Sequence, residues 1–82
     1  ASDVYKRQLQ NISLALFRRF LESQGLKVIR KKGGHEMWAK SGLGRSIVLQ
    51  AHVDPVPEFI IRSNLRTMGV SVKDFIAFVE QK

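Results

Sequence analysis

A chain of 82 residues is long enough for one small domain, and its 44% apolar content fills one core, which excludes a disordered chain. The absence of cysteine excludes a disulfide framework and a thiolate zinc site, and no apolar run approaches the ~20 residues of a membrane span. A net charge of +7 favours an anionic partner: nucleic acid, an acidic protein or an anionic membrane. Lacking cysteine and a signal-peptide pattern, the chain is expected in a reducing compartment, the cytoplasm.

Residues 1–10 are polar, and read either as an N-terminal extension or as the start of the first helix. Tyr5, Leu9, Ile12 and Leu16 fall at helical spacing, which supports the second reading. Residues 11–82 are expected to form a single domain. Ser13 to Gln24 is the first clear helix, with Leu14, Phe17 and Leu21 as its apolar stripe, joined by Leu16 and Phe20. Ser13 is its N-cap and Gly25 its stop.

Leu26 to Lys31 reads as a strand around Val28 and Ile29. Lys32-Gly33-Gly34 supplies a tight turn. His35 to Lys40 is a second strand, Ser41 to Gly44 a turn, and Arg45 to Gln50 a third strand built on Ile47, Val48 and Leu49. Ala51 to Val56 is a loop with His52, Asp54 and Pro55. A helix follows, with Pro57 at its first position, Glu58 complementing its dipole and Gly69 ending it at Met68. Ser71 caps a last helix, with Val72, Phe75, Ile76 and Val79 as its stripe.

The predicted order is α-β-β-β-α-α: an α+β fold with helices on one face of a three-stranded antiparallel meander. The other face is then open. In the second strand the alternate sets are His35, Met37, Ala39 and Glu36, Trp38, Lys40; period alone does not say which points outward.

Lys27 to Arg45 holds six basic residues and one acid, Glu36, around the Gly33-Gly34-His35 turn. His35 and His52 lack a third strong ligand beside them, so no metal site is read. No serine sits in a nucleophile elbow, and Lys32-Gly33-Gly34 is too short for a phosphate loop. What remains is His35 as a general acid or base in phosphoryl transfer, with Lys31, Lys32 and Lys40 neutralising a phosphate and Arg45 in the same basic strip. RNA carries its own attacking 2′-hydroxyl, so this chemistry asks for no metal or cofactor. A turn histidine that bonds the backbone is the other reading of His35. Trp38 stacks on a base if exposed and joins the core if not.

Three segments resemble the HicA toxin family, small ribonucleases of toxin–antitoxin operons. They are Phe20 to Arg30, the Lys31-Lys32-Gly33-Gly34-His35 hairpin, and the stretch from His52 and Pro57 through Leu65-Arg66-Thr67-Met68-Gly69-Val70. The resemblance spans Ser13 to Phe75. It implies a fold like the double-stranded-RNA-binding domain, cleavage of mRNA and neutralisation by a HicB-type antitoxin. It places the catalytic histidine at His35 and a less critical one at His52. Gly34 and Glu36 stand where the family usually has serine and a second histidine, and Phe59-Ile60-Ile61 where it has Gly-Thr-Leu. Glu36, close to His35, would favour the charged imidazole and an acid role. Two rival readings are a non-catalytic RNA-binding module on the same basic surface, and a DNA-binding helix-turn-helix made by the last two helices.

Overall fold

The structure, a computed structural model, describes residues 7–81. Tyr5 lies outside the described residues. A 3₁₀ turn, Arg7–Leu9, leads into α1 (Leu14–Ser23), then β1 (Lys27–Lys32), β2 (His35–Ala39), β3 (Ile47–Gln50), α2 (Glu58–Met68) and α3 (Val72–Gln81). The strands form one antiparallel sheet in the order β1-β2-β3. The expected α+β class and helix–strand order are therefore present. Leu9 and Ile12 do not extend α1. Leu9 ends the 3₁₀ turn and Ile12 lies in the link to α1, after Asn11 at φ 61°, and both side chains are buried in the core.

Helices α1 and α3 begin where the sequence supplies a serine cap. The Ser13 hydroxyl accepts from the Leu16 N–H at 3.0 Å, and Asp54 Oδ1 accepts from the Leu14 N–H at 3.0 Å. Two otherwise unpaired donors at the start of α1 are thereby satisfied, one from forty positions away. Ser71 caps α3 by accepting from the Asp74 N–H. Pro57 stands one position earlier than expected, as the N-cap of α2 with extended backbone, and Glu58 opens the helix.

The core lies between the helices and one face of the sheet. Phe75 of α3 meets Phe17 and Phe20 of α1 edge-on, at centroid distances of 5.6 and 4.8 Å. Trp38, Ile47 and Leu49 bring the sheet into the same cluster. Strand β1 contributes no buried residue. Its register shifts between Val28 and Arg30, and Ile29 is 61% exposed at that bulge. The apolar pair that marks β1 in the sequence thus sits on an exposed edge, and Leu26, just before the strand, is what anchors it to the core. Strand β3 is shorter than expected, because Arg45 and Ser46 stay in the connecting loop.

Candidate active site

Gly33 and Gly34 take φ of 58° and 82°, the left-handed pair that a two-residue hairpin turn requires. The turn fixes the register: Lys32 faces His35, and His35 faces Gln50 on β3. Directly opposed residues share a face. Lys32, His35 and Gln50 therefore stand in one row across the sheet, on the open side and exposed. The next row, Lys31, Glu36 and Leu49, belongs to the helix side.

His52 joins this end of the sheet. The Ala51 N–H donates to the Gly34 carbonyl at 2.7 Å, which prolongs the pairing beyond the strands. The next residue lays its imidazole over the turn: a Cβ on Gly34 would stand 3.1 Å from His52 Nδ1. Glycine at 34 thus serves both the turn and this approach. His52, seventeen positions beyond His35 in sequence, thus packs on the turn that leads into His35. Asp54, two residues on, is turned to the start of α1 instead.

Several residues expected at the site are elsewhere. Trp38 is 4% exposed and its Nε1 donates to Glu36 Oε1 at 3.1 Å, so it is a core residue and offers no stacking surface. Lys40 follows the far end of β2, about 17 Å from His35 at the usual rise per residue. Its Nζ donates to the Gln24 carbonyl at 3.0 Å, and it closes the α1–β1 corner. Arg45 lies in the β2–β3 loop at that same far end. Lys31 is exposed, but on the helix side. Of the expected cations, Lys32 alone shares a row with His35.

Glu36 does not face His35. It is 5% exposed on the helix side, where Arg18 Nε and Nη2 donate to its two oxygens at 3.1 and 2.5 Å. Hydrogen bonding from Arg18 holds its carboxyl below the usual range; Trp38 and Lys31 act in the same direction, and burial opposes them. The pleat turns the Glu36 side chain to the face opposite His35.

Two further cations of the basic run, to which the sequence assigns no role, join the open face. Arg30 pairs with Met37 and Lys27 with Ala39, so Lys27, Arg30 and Lys32 share the open face with His35. Counting back by two from Lys32 finds Arg30. It does not find Lys27, because the bulge at Ile29 resets the alternation.

Two other surfaces lack this chemistry. An apolar groove between β3 and α2, lined by Val48, Val53, Val56, Phe59 and Asn64 among others, has no titratable group in its wall. The outer side of α3 shows Lys73, Asp74, Ala77 and Glu80, a nearly neutral surface for a helix meant to enter a DNA groove. Among the described residues no group of three or more His, Cys, Asp or Glu is placed to hold a metal ion, and no helix is long and apolar enough to cross a membrane. Comparison with family models, curated proteins and solved structures finds no match to this chain.

Proposed function

We propose that this chain is an endoribonuclease of the HicA type, which cleaves mRNA without a metal ion, stops translation and is neutralised by a HicB-type antitoxin. The observation that carries this reading is the Lys32–His35 row on the open sheet face, where the two residues are directly opposed and exposed and, among the described residues, neither side chain is hydrogen-bonded or ion-paired. An RNA strand lying on that face brings a phosphate to Lys32. The 2′-hydroxyl attacks that phosphate, and His35 moves a proton at the reacting oxygens. Lys32 offsets the charge that grows on the phosphoryl oxygens.

The element order supports the reading, since helices backing a three-stranded meander is what a double-stranded-RNA-binding-like fold asks for. The basic open face is also the natural seat for an acidic antitoxin, and the mRNA substrate places the protein in the cytoplasm.

His35→Ala tests the assignment. Cleavage of a labelled mRNA should fall by about 10²–10⁴-fold, the usual loss for a proton-transfer group. Binding of the same RNA and the melting curve should stay as in the native protein, because His35 is exposed and outside the core. If native protein binds RNA and leaves it intact, the chain is an RNA-binding module. Undiminished cutting by the variant would remove His35 from the chemistry.

A further inference from the structure

We propose that His52 is the second proton-transfer group of this site and works with His35 on the same phosphodiester. The inference rests on the ribonuclease reading and deepens it. Transesterification of RNA needs two proton transfers at opposite ends of the reacting phosphorus. One group takes the 2′-hydroxyl proton as the P–O2′ bond forms. Another gives a proton to the departing 5′-oxygen as the P–O5′ bond breaks. The products are a 2′,3′-cyclic phosphate and a 5′-hydroxyl, and no electron changes hands. One imidazole ends protonated and the other deprotonated, and water restores both.

A single histidine would have to make both transfers from one position. The structure places a second imidazole at the same turn. His35 opens β2 on the open face, and His52 rests against Gly34, the residue immediately before it. Both side chains are exposed, and among the described residues neither takes part in a hydrogen bond or ion pair. Among the described residues His52 lies outside the core and caps neither α1 nor α2. Its approach depends on the missing side chain at position 34, since a Cβ there would press on Nδ1 at 3.1 Å.

The charged neighbours are few. Strand β1 brings Lys32 on the same face and Lys31 on the other. Strand β2 brings Glu36, turned to the helix side and held by Arg18 of α1. The loop brings Asp54, which accepts from the Leu14 N–H. Among the described residues no carboxylate bonds either ring.

The test is the pH–rate profile of RNA cleavage by native protein, His52→Gln and His35→Ala, with RNA affinity measured in parallel. Native protein should give a bell, one limb for the base and one for the acid. His52→Gln should lower kcat by about 100-fold or more, erase one limb and leave KM within about twofold. A bell that survives in His52→Gln, or an effect confined to KM, overturns the proposal while the ribonuclease reading stands, provided His35→Ala is inactive. If native protein does not cut, or His35→Ala cuts as well as native, the ribonuclease reading fails and the role of His52 fails with it.

Discussion

Glu36 is joined to His35 by one peptide bond and separated from it by the whole thickness of the sheet. Its buried carboxylate receives two hydrogen bonds from Arg18 and one from Trp38. These hold the carboxyl below its unfolded-state pKa, so the charged form is favoured by folding. The sign follows directly. The stabilisation is complete above the unfolded carboxylate value, roughly 4.3, and is lost as pH falls through the lower folded value. Glu36→Gln should cost about 1–3 kcal/mol at pH 7, below the full penalty for breaking a buried pair because the guanidinium is 35% exposed. Urea unfolding at descending pH should show the gap between variant and native closing below roughly pH 4. A gap that persists undiminished in acid would mean the carboxylate charge is not the source. RNA cleavage at neutral pH should be unchanged, since Glu36 has no path to the open face.

Strand β1 decides which cations share the open face with His35. Its side chains alternate across an edge strand with no buried residue, so neighbours in sequence serve different surfaces. Lys32→Ala should lower kcat/KM for RNA by tenfold or more, about 1.5–3 kcal/mol for a lost charge-assisted phosphate contact. Lys31→Ala, one residue earlier and on the helix side, should change it by less than about threefold, the scale of a distant surface charge. Steady-state cleavage of one RNA by both variants decides the matter, and equal effects would show that the face assignment of β1 does not govern binding. This alternation also marks the limit of what the chain reveals by itself. Caps and stops are local signals, so Ser13, Gly25, Gly69 and Ser71 delimit helices from sequence. The Gly33-Gly34 turn is local too, and it puts His35 at a strand's start. The orientation of β2 is not local. It follows from long-range packing: Trp38, Ile47 and Leu49 enter the core, and Arg18, eighteen positions away, meets Glu36 on that same side. Trp38 and Glu36 share the buried side, and His35 goes out. The nearness of His52 is likewise a long-range fact, set by the bond from Ala51 to Gly34. The second basic end, Lys40 and Arg45, looks continuous with the first in sequence because a strand's length is invisible in a run of charges.

Across the whole molecule the net charge of +7 is spread widely, with exposed Arg19, Arg66 and Lys73 far from the hairpin in sequence and on helices. If charge alone held RNA, any strand would be bound loosely over much of this surface. The sheet instead gathers Lys27, Arg30 and Lys32 in one row along its edge, beside Met37 and Val48 in the middle of the open face. Only cations that displace counterions from the strand contribute to salt dependence, at about 0.7 per phosphate for single-stranded nucleic acid. Three contacts therefore predict a slope of about −2 in log affinity against log salt concentration. Arg30→Ala should reduce that slope to about −1.4 and weaken binding alike for every RNA sequence, because phosphate contacts carry no base information. Fluorescence anisotropy with an uncleavable 2′-deoxy oligonucleotide, titrated at four or more salt concentrations, measures both quantities. A slope steeper than about −4 would require more cations than one row provides. It would mean that the strand leaves the open face and reaches Lys31, Lys40 or the helices. Binding confined to three cations fits a strand that crosses the sheet edge once and presents a single phosphate to Lys32 and the two histidines.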